Sequence, residues 1–231
     1  MVATSESERH RYIHRKEESI AAKLRISATS ASGARLALGI PANASGTIVD
    51  LASGASPLVA SLATDGADAY GVDRIYSNPI QLQKELQILI PRILATFPPG
   101  QRAEVESIMQ RSLAEFIRSY GAEGHRYLSD WLTKLSLPDS FADMTVSLNG
   151  ISDLAENSDV FSQAISEALR ITKPGGTFTM APYHTSGGNH TRYASTHARL
   201  TAKLQKDPTV QVRINPRTAN YWDARLRIIK L

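Results

Sequence analysis

The pattern of apolar positions divides the first half of the chain into short strand-like runs and stretches with helical spacing. Ile48, Val49 and Leu51 form a short apolar run of the kind found in buried parallel strands, and a second run covers 69–72. Between them, apolar residues at 58–63 have the spacing of a helix that starts after Pro57. The pattern predicts a strand, a tight turn, a helix and a second strand in that order.

The same patterns predict most of the remaining elements. Strands are predicted at 125–128, 143–148, 177–181, 209–214 and 221–229, and helices at 6–26, 157–171 and 191–204. Residues 27–46 are rich in Ser, Ala and Gly and are expected to be mostly loop, so that 1–46 forms an N-terminal helical cap.

Residues 78–122 have helical spacing where a shorter connection to the third strand is expected. Phe97, Pro98, Pro99 and Gly100 separate two helical segments of this stretch. We interpret the stretch as a helical insertion after the second strand. A lid over a substrate, a dimer surface and simple added bulk all remain open.

Composition narrows the class of protein. With 231 residues and 42% hydrophobic residues, the chain can form a single α/β domain over 1–231. It has no cysteine, which excludes disulfides, thiolate metal sites and a cysteine nucleophile. No apolar run is long enough to span a membrane, and the polar N-terminus has no stretch like that of a signal peptide, so a cytoplasmic location is expected.

The net charge of +4 is unevenly distributed. From Arg199 onward, eight Lys and Arg residues stand against two Asp residues, and eight minus two gives +6. Such a basic C-terminal region could bind RNA or an anionic substrate, or could simply form solvated faces of a helix and edge strands.

The chemistry-bearing residues follow the predicted strands. The five small residues at 52–56 allow a sharp turn and let a ligand approach the main chain closely. Asp73 ends the second strand, 23 residues after Asp50, which is near the ~20-residue spacing of an acid that binds ribose hydroxyls. A strand, tight turn, helix, strand and acid in this order is typical of a nucleoside-binding unit.

Three stretches carry a resemblance to a known family. The segment from Asp50 to Ser56 resembles motif I of the class I S-adenosylmethionine-dependent methyltransferases, in which an acid precedes three alternating glycines. Only the middle glycine is present, at Gly54, because Ala52 and Ser56 replace the outer two. The segments 137–150 and 168–178 are similar to the fourth-strand and fifth-strand regions of that family.

The resemblance implies an α/β fold, which is Rossmann-like and doubly wound. It implies a mostly parallel seven-stranded sheet with helices on both faces, in which the last strand lies between the fifth and sixth. It also implies S-adenosylmethionine as cofactor and S-adenosylhomocysteine as product. The cofactor-binding candidates are Asp50, Ala52, Ser53, Gly54, Asp73, Arg74, Asp130, Trp131, Asn149 and Tyr12.

Three of these candidates have alternative interpretations. Asp73 could instead be a partner of Arg74 or a cap for the inserted helix. In the family, an acid after the third strand binds the adenine amino group, and Asp130 fits that place; it could equally cap a helix from Trp131 to Leu135. Tyr12 and Arg15 would reach the ligand from the 6–26 helix, which could instead pack on the edge of the sheet.

Methyl transfer from a sulfonium requires an aligned acceptor and exclusion of water, and a general base when the acceptor carries a proton. His184 is the first candidate for this base and Tyr183 the second, because both follow the fifth strand; His190 and Asp153 are weaker candidates. The spacing of the histidines at 184, 190 and 197 fits no familiar metal motif, so no metal is expected.

The expected function is methyl transfer to an O or N atom of a small molecule. An RNA or protein methyltransferase that uses the basic C-terminal region, and a cofactor-binding relative without catalysis, are the alternatives. The sequence Asn149-Gly150-Ile151-Ser152 stands where enzymes acting on base amines carry an Asn-Pro-Pro-Tyr type of signature, which favours a small molecule over nucleic acid. No membrane partner is expected, and a homodimer is left open.

Overall fold

The computed structural model describes residues 31–78, 84, 87–88, 90–91, 94–95, 97–148, 150–183, 191–216 and 224–231. The predicted 6–26 helix, together with Tyr12, Asn149, His184 and His190, lies outside the described residues. The strands are β1 Thr47–Leu51, β2 Asp68–Val72, β3 Tyr127–Leu128, β4 Ala142–Leu148, β5 Thr172–Ala181, β6 Val210–Pro216 and β7 Ala224–Lys230. The bounded α-helices are α1 Ala31–Leu38, α2 Leu58–Thr64, α3 Pro99–Glu123, α4 Gly150–Asp153, α5 Ser158–Ile171 and α6 Thr191–Leu204.

The strands form one seven-stranded sheet in the order β3-β2-β1-β4-β5-β7-β6. Strands β1 to β5 pair with one another in parallel, whereas β7 runs antiparallel to both β5 and β6. The sheet is therefore mixed, and the expected parallel pairing applies to β1 to β5 only. The expected insertion of the last strand between the fifth and sixth is confirmed.

Two hydrophobic clusters cover the two faces of the sheet. Side chains alternate between faces along a strand, so Ile48 belongs to one cluster while Val49 and Leu51 belong to the other. The first cluster includes buried residues of α1, α2 and α3, and the second includes those of α4, α5 and α6. Helices on both faces make the fold doubly wound, as expected.

Helix α3 occupies most of the predicted insertion. Its residues Met109, Leu113 and Phe116 are buried in the first cluster. Parallel neighbours such as β2 and β3 require a crossover connection, usually a helix, and α3 provides it. The helix is thus an integral layer of the fold, while a lid role for any part of 78–122 stays a prediction.

Strand β5 begins five residues earlier than predicted. Thr172 already pairs with Ala142, and Thr177 pairs with Met144, so residues 173–176 form a bulge between these two pairs. The bulge includes Gly175, whose φ of 78° lies in the left-handed region. The predicted turn at Lys173 to Gly176 therefore exists as an interruption within the strand.

Other boundaries differ by smaller amounts. The third strand is only Tyr127–Leu128, because Gly124–Arg126 forms a 3-10 turn where a strand was expected. The 27–46 segment, expected to be mostly loop, contains the helix Ala31–Leu38. Within the described parts of the chain, no helix combines the length and apolar character needed to cross a membrane.

Candidate functional site

The loops that carry the predicted site residues meet at one edge of the sheet. Parallel pairing aligns Leu51 with Val72, Val72 with Leu128, and Leu148 with Ala181. The carboxyl ends of β1 to β5 therefore lie side by side at one edge of the sheet. Open α/β sheets bind their ligands at this edge.

The turn after β1 contains two residues in the left-handed region. Ala52 has a φ of 57° and Gly54 a φ of 55°. The turn is fixed to the neighbouring strand because the Ser53 N–H donates to the Val72 carbonyl at 3.3 Å. A Cβ atom added at Gly54 would meet no described protein atom within 4 Å, so the backbone there can be approached from outside.

Gly150 explains how Ala52 can replace a glycine. A Cβ atom at Gly150 would overlap the Ala52 Cβ and would lie 3.2 Å from the Ala52 carbonyl oxygen. The glycine that begins α4 thus provides the space that the Ala52 methyl group fills. Ala52 is accommodated by a partner nearly a hundred residues away in the sequence.

Asp50 is a buried acid beneath this turn. Its side chain is 2% exposed, and its Oδ1 atom has no hydrogen-bond partner among the described residues. Burial, and then the nearby charge of Asp73, raise the pKa of Asp50 well above its usual value. A buried acid with an unused oxygen at this edge of the sheet is suited to accept a hydrogen bond from a cationic group.

Asp73 connects the turn to the segment after β2. Its Oδ2 accepts from the Gly54 N–H at 3.1 Å, and its Oδ1 accepts from the Ile75 N–H at 3.1 Å. Asp73 is therefore the N-cap of the 3-10 turn Arg74–Ser77. A carboxylate can accept about four hydrogen bonds, so this cap is compatible with a ribose-binding role.

Arg74 and Trp131 are brought together beside Asp73. The Arg74 guanidinium carbon lies 4.2 Å from the centroid of the Trp131 ring, and the tryptophan is 61% exposed. The Ser129 hydroxyl donates to the Arg74 carbonyl at 3.3 Å, which ties the two loops together. The result is a planar, accessible surface of the kind on which an aromatic ligand can stack.

Asp130 stabilises the loop after β3. Its Oδ2 accepts from the Ser136 N–H at 2.8 Å and from the Ser136 hydroxyl at 2.6 Å. The alternative that Asp130 caps a helix from Trp131 to Leu135 is wrong, because these residues form a turn closed by a bridge between Trp131 and Lys134.

Tyr183 is directed away from solvent. It is 1% exposed, its hydroxyl donates to the His197 carbonyl at 2.7 Å and also contacts the Thr201 hydroxyl, and its ring stacks on the His197 ring at 4.7 Å. Burial raises the pKa of the Tyr183 hydroxyl, which is opposite to what a general base needs. These contacts argue for a packing role under α6.

The structure adds residues that the sequence patterns do not identify. Tyr76 lies in the 3-10 turn after Asp73, and its hydroxyl donates to the Gly54 carbonyl at 2.6 Å. Gly71 and Gly150 provide space for side chains of the turn. No sequence signal marks these three, since each contact joins segments that are far apart along the chain. No described group of three or more His, Asp or Glu side chains could hold a metal ion.

No protein-family model matches the chain, and no curated protein matches it at a significant level. Among solved structures, a SAM-dependent methyltransferase from Aquifex aeolicus is 13% identical, with a TM-score of 0.51, covering 94% of this chain and 98% of that one. A protein from Methanococcus maripaludis, named as an S-adenosyl-L-methionine-dependent methyltransferase, is 14% identical, with a TM-score of 0.44, covering 100% and 97%.

A third similar structure is the mitomycin 7-O-methyltransferase MmcR, which is 14% identical with a TM-score of 0.48, covering 90% of this chain and 54% of that one. At identities this low, structural likeness concerns the fold alone and leaves the chemistry to the site itself. The strand order, the helices on both faces and the Aquifex aeolicus structure together show that this chain has the fold of the class I S-adenosylmethionine-dependent methyltransferases.

Proposed function

We propose that the chain is an S-adenosylmethionine-dependent methyltransferase that transfers the methyl group to an O or N atom of a small molecule. The observation that carries this proposal is the contact between Gly54 and Asp73 at the carboxyl edge of the sheet. It places a turn with approachable backbone directly beside an acid at the end of β2. This is the arrangement that nucleoside binding requires.

The residues fit the different parts of the cofactor. Asp73 would accept the ribose hydroxyls, and the Arg74 and Trp131 surface would lie against the adenine. The buried Asp50 has an unused acceptor oxygen that suits the cationic amino-acid end. S-adenosylmethionine supplies an activated methyl group, so the chain must position an acceptor in line with it and exclude water.

The methyl acceptor is proposed to be a small molecule rather than RNA or protein. The basic residues Arg213, Arg225 and Arg227 lie on β6 and β7, at the far edge of the sheet from β1 and β2. Arg225 is already engaged with the helix α1, where its guanidinium donates to the Leu36 carbonyl at 3.3 Å. Because β4 and β5 lie between β7 and β1, and Arg225 is engaged with α1, these basic residues give no specific support for a nucleic-acid substrate.

A turnover assay tests the function. The purified protein would be incubated with S-adenosylmethionine and, in separate reactions, small hydroxyl compounds, small amines, RNA and a protein mixture, with S-adenosylhomocysteine formation as the readout. We expect turnover with a member of the small-molecule set. Turnover only with RNA or protein would replace the substrate assignment, and binding of S-adenosylmethionine without turnover in any reaction would favour a non-catalytic relative.

A further inference from the structure

Tyr76 joins the predicted cofactor turn to helix α3. It is 3% exposed. Its ring is stacked on Phe116 of α3 at 5.7 Å and packs edge-on against Tyr127 at 5.3 Å. Tyr120, also on α3, lies against the same ring and donates a hydrogen bond to the Tyr76 carbonyl at 3.3 Å. The orientation of the Tyr76 ring is therefore fixed by α3 and β3.

The hydroxyl at the end of this ring contacts the turn directly. It donates to the Gly54 carbonyl at 2.6 Å, and it also forms a hydrogen bond with the Ser53 hydroxyl. A Cβ atom on Gly71 would lie 2.7 Å from the Ser53 hydroxyl and 3.2 Å from the Tyr76 hydroxyl. Because Gly71 of β2 has no side chain, the two hydroxyls have room to form their hydrogen bond next to this strand.

Both backbone polar groups of Gly54 are therefore hydrogen-bonded. Its N–H donates to Asp73 and its carbonyl accepts from Tyr76. Both partners belong to the segment that follows β2. Burial, followed by the charge of Asp73, raises the pKa of the Tyr76 hydroxyl, which keeps it protonated as a donor.

The turn needs such support because its conformation is strained. Ala52 adopts a φ of 57°, where an L-residue other than glycine is destabilised by about 1–2 kcal/mol. A strained backbone persists only where the surrounding structure holds it in place. Gly54, two residues later, is the point at which Tyr76 and Asp73 hold this turn.

We propose that Tyr76 is a positioning residue for cofactor binding, and that helix α3 sets the geometry of the turn through it. Tyr76 does not touch the ligand in this assignment but fixes the backbone that does. The inference rests on the proposed function, since the consequence for binding requires that the turn contacts S-adenosylmethionine. Its structural half, that Tyr76 restrains the turn, holds with or without a ligand.

The test compares Tyr76→Phe with the matched control Tyr127→Phe. Both variants remove one hydroxyl from the same aromatic cluster and keep the ring. The Tyr127 hydroxyl bonds the Ser119 hydroxyl at 2.6 Å, away from the turn. Tyr76→Phe should weaken S-adenosylhomocysteine binding, measured by calorimetry, by about tenfold, whereas Tyr127→Phe should change it less than twofold.

Hydrogen exchange of the ligand-free variants separates the two halves. Peptides covering 51–57 should exchange at least about tenfold faster in Tyr76→Phe than in wild type and remain unchanged in Tyr127→Phe. Equal exchange in both variants would overturn the positioning role. Wild type could fail to bind S-adenosylhomocysteine while residues 51–57 still exchange faster in Tyr76→Phe. That result would overturn the proposed function and the binding consequence, and the restraint of the turn by Tyr76 would stand.

A variant of α3 tests whether this helix acts on the turn through Tyr76. Phe116→Leu keeps an apolar side chain at the position but removes the ring stacked on Tyr76. It should accelerate exchange of 51–57 and weaken binding in the same direction as Tyr76→Phe. Met109→Leu, in the same helix and also 1% exposed, is the control for a changed apolar side chain at a position that has no ring to stack on Tyr76. Equal effects of the two α3 variants on the turn would contradict a route through Tyr76.

Discussion

The most informative single residue is Asp50, because burying an acid under the proposed cofactor turn lowers stability by an amount that depends on pH. Its folded-state pKa is raised, so the folded protein retains a proton that the unfolded chain releases above about pH 4. The contribution of Asp50 to the free energy of unfolding is fully present below its unfolded-state pKa. It is lost as the pH rises toward the folded-state pKa. Each unit of the difference is equivalent to about 1.4 kcal/mol.

Asp50→Asn should therefore be more stable than wild type at neutral pH and of similar stability near pH 4. The amide is neutral in both states, so the decline of stability with rising pH should become shallower. Urea unfolding at pH 4, 6 and 8 measures this slope. Identical slopes for the two proteins would show that Asp50 does not titrate differently on folding. A simultaneous loss of cofactor affinity is expected, since the acid would serve binding at the expense of stability.

Ala52 and Gly150 form a second residue-scale test. Gly150→Ala should destabilise the protein by about 1–3 kcal/mol, because its Cβ would overlap that of Ala52. Ala52→Gly should remove both the overlap and the strain at φ 57°, so the double variant should recover most of the loss. Unfolding free energies of the two single variants and the double variant measure the coupling. Simple additivity would contradict the contact.

At the scale of elements, the parallel core was predictable and the turn geometry was not. The apolar run at Ile48 to Leu51 is typical of a buried parallel strand, and β1 forms there. Asp73 was predicted from its distance to Asp50 and from its place after a strand. Its role as the N-cap of a 3-10 turn depends on the 74–77 backbone, which periodicity does not specify.

Contacts between distant segments explain the remaining differences. The bond from Tyr76 to Gly54 spans 22 positions, and nothing in either segment marks the other as its partner. Strand β5 begins at Thr172 because Thr172 pairs with Ala142 across a bulge, and a bulge is set by the neighbouring strand. The sequence patterns located the strand ends that carry the site, while the supporting residues depend on tertiary packing.

Lys230 provides a prediction about an element. Its ammonium group donates to the carbonyls of Leu169 at 3.1 Å and Thr172 at 2.8 Å, at the C-terminal end of α5. A cation at this end of a helix is favoured by the orphan carbonyls and the helix dipole. Lys230→Met should lower the free energy of unfolding by about 1 kcal/mol. Lys206→Met, at an exposed position after α6, should change it by less than about 0.5 kcal/mol, and equal effects would contradict the capping role.

At the scale of the whole molecule, the carboxyl edge of the sheet gathers residues from four separate loops. Ala52 meets Gly150, Gly54 meets Asp73, and Arg74 meets Trp131. The edge is supported from below by α3 through Tyr76 and its ring contacts. The proposed function requires that this edge binds the nucleoside of S-adenosylmethionine, with Asp73 on the ribose.

Variants of Asp73 alone would test this claim incompletely, because Asp73 also caps the turn at 74–77. Asp73→Ala should lower both the melting temperature and the cofactor affinity. Asn157→Ala removes an N-cap of the same kind from α5, where Asn157 accepts from the Asp159 N–H at 3.1 Å, and should lower the melting temperature alone. Loss of affinity in both variants would point to general destabilisation.

The most direct measurement changes the ligand instead of the protein. Calorimetric titration of the wild-type chain with S-adenosylhomocysteine and with its 2′-deoxy analogue isolates one ribose hydroxyl. Charge-assisted hydrogen bonds are worth about 1.5–3 kcal/mol, so the deoxy analogue should bind at least about tenfold more weakly to wild type. The two ligands should bind Asp73→Ala with similar affinity. Absence of binding by wild type, or equal affinities of wild type for the two ligands, would contradict the placement of the ribose at Asp73.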